Sequence, residues 1–171
     1  MNASQLTANE YSPFYSTYIN KAGLIDLISG IEDSFNDALS FFETIPKQKF
    51  DYRYAKGKWT IKELIQHIID VERVFAYRAL CIAREDNTPL PSFEENDYAV
   101  SSMANNRTRE NLLEEYKAIK ISTILLFRSF NDKMLMRVGI ASGGNISVRA
   151  LGFIMIGHES HHIQVIKERY L

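Results

Sequence analysis

Four long segments with helical periodicity constrain the fold of this chain more than any other feature of its sequence. In each segment apolar residues recur at spacings of three and four, the pattern of an α-helix with one buried face. No segment shows the sustained alternation of apolar and polar residues that marks a half-buried strand. The predicted helices run from about Ala22 to Thr44, from Thr60 to Glu85, from Thr108 to Phe130, and from Ser147 to the end of the chain.

The content of turn residues supports the same fold class. The 171 residues include 8 glycines and 4 prolines, fewer than an all-β fold with many turns would use. The length suits one domain, so residues 1–171 are predicted to form a single all-α four-helix bundle. Residues 86–107, the longest unpatterned segment, are long enough to cross over the bundle. Residues 139–145 are expected to form a tight loop, and the aromatic N-terminal arm is expected to pack on the bundle.

The charge balance excludes several classes of partner. Lys plus Arg is 20 and Asp plus Glu is 21, so the net charge of -1 gives no electrostatic footprint for nucleic acid. No apolar run approaches the length of a membrane span. The single cysteine, Cys81, cannot form an internal disulfide, which favours a reducing cytoplasm. We therefore expect a cytoplasmic protein with a small-molecule partner, and neither nucleic acid nor membrane.

The histidines point to a metal site. Three of the four lie within five residues, at His158, His161 and His162, and the fourth, His67, lies in the second helix. A spacing of four places His158 and His162 on one helix face, about 5–6 Å apart at Cβ, so that both rings can reach one divalent ion. Both follow the core-facing stripe of their helix, as His67 does. Three converging histidines would leave a position for water or substrate, whereas His67 alone would be an ordinary core histidine.

The segment from His158 to His162 also matches the H-E-x-x-H pattern of zinc proteases, in which the glutamate is the general base. Those enzymes take a third ligand from downstream, and only nine residues follow His162. Asp70 and Glu159 are the acids nearest the histidines in sequence. Helical geometry places Asp70 on the face of His67 and turns Glu159 about 100° from His158, towards solvent or the outside of the site.

Two motifs together resemble those of a known family. The segment Tyr54–Asp70, YAKGKWTIKELIQHIID, combined with a C-terminal GHESHH at Gly157–His162, is similar to the DinB-like superfamily and within it to the YfiT-like group. The similarity covers nearly the whole chain. It implies an up-down-down-up four-helix bundle with residues 86–107 as the crossover. It also implies a divalent metal, zinc or nickel, on His67, His158 and His162, and a homodimer.

The resemblance leaves three functions open. The first is a metal-dependent S-transferase that uses a low-molecular-weight thiol of the bacillithiol type on small electrophiles. The second is a metal-dependent hydrolase with a metal-activated water, and the third is a non-enzymatic, metal-stabilised stress-related binding protein. The transferase is favoured because three imidazoles with an open position suit a soft sulfur ligand and no acid is convincingly placed as a base. The sequence assigns no catalytic or thiol-binding residue.

Overall fold

The computed structural model describes residues 1–171 and consists mainly of helices. Four of the helices are long, and the others are short segments within the connections. In chain order the elements are α1 (Ser16–Ala22), α2 (Leu27–Thr44), α3 (Ile61–Ala83), α4 (Glu95–Ser101), α5 (Arg109–Arg128), α6 (Asp132–Leu135), β1 (Val138–Ala141), β2 (Gly144–Ser147) and α7 (Val148–Arg169), with 3₁₀ turns at Ala3–Gln5, Pro13–Tyr15, Lys47–Lys49 and Ala104–Asn106.

The long helices form an up-down-down-up bundle, as the family resemblance implies. The C-terminal end of α7 meets the start of α3, where the Tyr170 hydroxyl donates to the Trp59 carbonyl at 2.8 Å, so these helices are antiparallel. The end of α5 meets the start of α2 through an ion pair between Arg128 and Glu32 at 2.8 Å. Because α3 and α5 run in the same direction, the segment between them has to cross the length of the bundle.

The starts of α3 and α7 follow from local capping. At the first turn of α3 the Thr60 hydroxyl accepts from the Glu63 backbone N–H at 3.1 Å, and the Glu63 carboxylate accepts from the Thr60 N–H at 2.7 Å. At the start of α7 the Ser147 hydroxyl accepts from the Ala150 N–H at 3.1 Å. Both starts were predicted from these residues, and the structure confirms them.

One predicted helix boundary is wrong, and two predicted connections contain regular structure. The first long helix begins at Leu27, because Gly23 adopts a left-handed φ of 66° and separates α1 from α2. The 86–107 connection contains α4 rather than only irregular chain. Residues 139–145, predicted as a loop, belong to an antiparallel hairpin that turns at Ser142 and Gly143. Its strands have four residues each, too few to show a period of two in the sequence.

A layer of buried polar residues divides the apolar core. One apolar cluster includes Ile31, Phe127 and Ile154, and the other includes Ile65 and Ile166. Each long helix contributes to this layer. Its buried members are His67, Glu72, Lys120, Thr123, His158 and Glu159, and the half-buried Ser34 joins them from α2. None of the helices combines the length and the apolar character needed to cross a bilayer.

Candidate functional site

The structure brings the three predicted histidines together. His67 lies in the first half of α3, and His158 and His162 lie one turn apart on α7. The Nε2 atom of His158 is 3.0 Å from Nε2 of His67 and 3.0 Å from Nε2 of His162. The ligand atoms of all three rings lie within 4.8 Å of one another. Three nitrogens bound to one zinc ion would be about 3.3 Å apart, so small ring movements would admit an ion.

Burial keeps these imidazoles neutral. His67 and His158 are each 7 % exposed. Burial lowers the pKa of His67 to about 4. Burial, together with the neighbouring imidazoles, holds the pKa of His158 and of His162 well below the ordinary value. At neutral pH each ring therefore has a free lone pair, and a set of three neutral imidazole nitrogens fits zinc or nickel.

Aromatic residues fix the orientation of the ligand rings. The Trp59 indole packs against His67 with the ring centroids 4.8 Å apart. The Tyr18 ring lies edge-on to His158 at 5.3 Å. A Cβ atom at Gly157 would overlap the Tyr18 carbonyl oxygen, so glycine at this position lets α1 lie directly against α7. His161 lies beside the cluster and half-buried, and its ring is not one of the converging ligands.

A cavity of about 470 Å³ opens onto the three histidines. Its walls come from α3 and from three segments that lacked pattern in the sequence: the N-terminal arm, the crossover segment and the β1–β2 turn. Six aromatic side chains line it: Phe14, Tyr15, Tyr18, Trp59, Phe75 and Phe93. An aromatic cavity that contains a polar cluster is typical of a small-molecule site.

Arg78 joins two walls of this cavity. Its guanidinium is buried and donates to the Pro91 carbonyl at 2.7 Å and to the Ser142 hydroxyl at 3.0 Å. It also lies 5.3 Å from the Phe75 ring centroid and 5.7 Å from that of Phe93. The crossover segment and the β1–β2 turn are thereby held together around one buried charge. Sequence reasoning missed this role because both partners lie in irregular chain.

A second fastening holds the N-terminal arm. The Glu10 carboxylate accepts from the Arg149 guanidinium at 2.6 Å and 2.7 Å and from the Ser147 hydroxyl at 2.8 Å. Both charged side chains are buried. The arm that carries Phe14 and Tyr18 is therefore anchored to the start of α7.

Glu159 lies in the core, so of the two places predicted for it, facing solvent is wrong and lying outside the histidine site is correct. It is 1 % exposed, because α7 is covered by α1, α2 and α3 along most of its length. Its Oε1 accepts from the Tyr116 hydroxyl at 2.7 Å and pairs with the Lys120 ammonium at 3.0 Å. Its Oε2 accepts from the Ser34 hydroxyl. With these partners it is not directed at the histidine cluster as a base.

Lys120 connects the two helices that carry the histidines. Its buried ammonium lies 3.1 Å from Glu72 on α3 as well as 3.0 Å from Glu159 on α7. Burial alone would lower the pKa of Lys120, but the two carboxylates outweigh it and raise the pKa. Burial raises the pKa of Glu72, which Lys120 offsets only in part. Glu72 Oε1 and Thr123 Oγ1 have no hydrogen-bond partner.

Asp70, the other predicted base, lies away from the cavity. Its carboxylate accepts from the Gln66 side chain at 2.9 Å, and both residues line a separate polar cleft with Arg107. The prediction that Asp70 shares the helical face of His67 is therefore correct only in part. Asp70 is nearly one turn further along α3 and points towards α4.

Comparison with known proteins agrees with this architecture. Residues 31–166 match the sequence model of the DinB superfamily, and the chain belongs to that superfamily. It is 27% identical over 116 residues, 67% of this chain, to "Putative metal-dependent hydrolase OB0413" of Oceanobacillus iheyensis. The matched stretch spans 66% of that relative's length.

Solved structures share the fold at low identity. One is YfiT from Bacillus subtilis, described as "a probable metal-dependent hydrolase with an unusual four-helix bundle topology". It superposes with a TM-score of 0.75 at 18% identity, and the alignment covers 93% of this chain and 91% of YfiT. The mycothiol-dependent maleylpyruvate isomerase superposes with a TM-score of 0.67 at 10% identity, and the alignment covers 91% of this chain and 63% of the isomerase chain. A DinB-like protein of B. subtilis, YjoA, gives 0.59 at 20% identity over 83% of this chain and 87% of its own.

Proposed function

We propose that this protein is a metal-dependent S-transferase that joins a low-molecular-weight thiol of the bacillithiol type to a small electrophile. One observation carries the proposal. His67 and His158 are buried and His162 is half-buried, and these neutral imidazoles face an aromatic cavity whose only carboxylate is that of Glu95. Glu159 is held by Ser34, Tyr116 and Lys120, and the one acid that lines the cavity, Glu95, is an exposed residue.

The chemistry divides between the histidines and the cavity walls. A zinc or nickel ion held by His67, His158 and His162 would lower the pKa of a thiol and keep it as thiolate at neutral pH. The aromatic walls would pack on the electrophile and exclude water from the sulfur. The thiolate sulfur forms a bond to the electrophilic carbon, the leaving group departs with its electron pair, and the thiol proton goes to solvent.

Two findings from relatives bear on the proposal in different ways. The isomerase that shares this fold depends on mycothiol, which supports thiol chemistry on the same scaffold. The Oceanobacillus relative is named a hydrolase, which favours a second candidate, hydrolysis by a metal-activated water. Hydrolysis requires a base near the ion, and the buried network supplies none.

A paired assay separates the candidates. Tag-free protein, the chelated protein and His67→Ala would be tested with bacillithiol or mycothiol plus bromobimane, and with nitrophenyl esters without thiol. We expect thiol consumption that requires both the metal and His67. Ester hydrolysis without thiol, lost on chelation, would overturn the proposal in favour of the hydrolase. Inactivity in both assays with metal bound would favour the non-enzymatic binding protein.

A further inference from the structure

A second, smaller cavity also reaches the histidine cluster, at His162. Its volume is about 260 Å³. Trp59 and His162 line both this cavity and the larger aromatic one. The cluster can therefore be approached from two directions, and a transfer reaction has two reactants to place at one ion.

The two cavities differ in charge. Apart from the histidines, Glu95 is the only residue with a charged side chain that lines the larger cavity, and the Arg78 guanidinium behind its walls is engaged by Pro91 and Ser142. The smaller cavity is lined by Lys58 and by His161, and no carboxylate lines it. Lys58 is exposed and takes part in none of the ion pairs of the structure, so its ammonium is available to a ligand.

The remaining walls of the smaller cavity combine apolar side chains, such as Leu64 and Val165, with polar groups that are held in place. The Tyr170 hydroxyl donates to the Trp59 carbonyl at 2.8 Å, and the Tyr54 ring packs edge-on against Tyr170 at 5.0 Å. The Arg169 guanidinium lies 5.5 Å from the centre of the Tyr54 ring and adds a second cation next to this wall. The Asn96 side chain and the His161 ring offer hydrogen bonds.

We infer that the smaller cavity binds a carboxylate group of the thiol reactant, beside Lys58, while the larger aromatic cavity receives the electrophile. The inference rests on the proposed transferase function and names the chemical class of the thiol as an anionic one. A carboxylate placed in the larger cavity would face Glu95, whereas in the smaller cavity it faces the Lys58 ammonium. The sulfur of the same molecule would then reach the cluster alongside His162.

The test measures binding rather than turnover. Protein loaded with Co²⁺ would be titrated with mercaptosuccinate, which carries two carboxylates, and with neutral 2-mercaptoethanol, and thiolate binding would be followed in the cobalt spectrum. We expect wild type to bind mercaptosuccinate more tightly. Lys58→Met should weaken the binding of mercaptosuccinate by up to about fivefold, the range of an exposed ion pair. It should leave the binding of 2-mercaptoethanol unchanged. Lys58→Glu should weaken the binding of mercaptosuccinate further.

Lys56→Met is the matched control, because Lys56 is an exposed lysine two residues away that does not line the cavity. It should bind both thiols as wild type does. An unchanged preference in Lys58→Met, or an equal loss in the two variants, would overturn the inference and leave the transferase proposal standing, since thiolate binding would still be seen.

Succinate separates a failure of the transferase proposal from a failure of this inference. It has the carboxylates and no sulfur, and its binding would be followed at constant ionic strength by the fluorescence of Trp59, the sole tryptophan. Without a thiolate spectrum for either thiol, the transferase proposal fails. A Lys58-dependent succinate response would still support the anion site, and its absence would overturn it.

Discussion

Two buried polar groups lie side by side between α3 and α7, and they differ in how their polar atoms are satisfied. In the ion network, Glu159 has partners for both oxygens, from Ser34, Tyr116 and Lys120. In the histidine cluster, Nε2 of His158 lies 3.0 Å from Nε2 of His67 and of His162, and these atoms have no other partner. The two groups meet at consecutive residues, His158 and Glu159.

The difference separates structural from functional polar residues. Burying a polar group is costly unless a partner compensates it. The ion network obtains most of its compensation inside the protein, through hydrogen bonds and an ammonium. The histidines would obtain theirs from an ion. Substitutions in the network should therefore change stability, and substitutions in the cluster should change the response to metal.

The largest effect is expected at the centre of the ion network. Lys120→Met would leave Glu72 and Glu159 facing each other without the ammonium between them. The free energy of unfolding should fall by about 3–5 kcal/mol, measured by urea denaturation of the metal-free protein. His67→Ala, in the same metal-free protein, should lose less, because no buried charge loses its partner.

Lys117→Met provides the matched control on α5. Lys117 is exposed and pairs with Glu43 at 3.2 Å. Such a pair contributes at most about 1 kcal/mol. If Lys120→Met cost no more than Lys117→Met, the network would have no structural role.

The second effect concerns the metal. Zinc at about one hundred times its dissociation constant should stabilise wild type by about 2.7 kcal/mol, seen as a rise in Tm. His162→Ala should abolish this rise, whereas His161→Ala should keep the metal affinity within about tenfold, since His161 lies beside the cluster without joining it. Equal losses in both variants would show that the pair of ligands on α7 is wrongly assigned.

The third effect is expected at Glu10, whose buried carboxylate is fully hydrogen-bonded by Arg149 and Ser147. Burial alone would raise the pKa of Glu10, but hydrogen bonds from Arg149, Thr7 and Ser147 outweigh it and lower the pKa to about 2, from an ordinary value of 4.5. A lowered folded-state pKa gives stability that is fully present above pH 4.5 and is lost as the pH falls towards 2.

Glu10→Gln should therefore destabilise the protein by about 2 kcal/mol at pH 7. The difference from wild type should shrink between pH 4.5 and pH 2, measured by urea denaturation at several pH values. A difference that stays constant over this range would contradict the role of the ionised carboxylate.

The smallest effect is expected at Asp70. It lies in the polar cleft with Gln66 and outside the histidine cavity. Asp70→Asn should keep the metal affinity and any metal-dependent turnover within about twofold of wild type, with metal binding measured by calorimetry. A tenfold loss of turnover at unchanged metal affinity would restore Asp70 as a base.

The sequence predicts the features that are set locally and repeat along one helix. The spacing of His158 and His162 fixes their common face, and Thr60 with Glu63 fixes the start of α3. The topology came from the resemblance, because periodicity cannot order the helices in space. The burial of Glu159 could not be predicted, because rotation about one helix axis does not show that α7 is covered on several sides.

The cavity walls could not be predicted for a related reason. Arg78 acts through Pro91 and Ser142, which lie in segments without periodicity and meet only in the folded chain. Likewise, the charge difference between the two cavities depends on Glu95 lining one cavity and Lys58 lining the other. No spacing in the sequence encodes such contacts.

The central claim is that His67, His158 and His162 hold one divalent ion. Anomalous diffraction from a crystal of the cobalt- or zinc-loaded protein tests it most directly. The account predicts one strong peak per chain, within about 2.0–2.3 Å of Nε2 of all three histidines, with the remaining position facing the cavities. A peak elsewhere in the chain, or one bound by two of these rings or fewer, would contradict it.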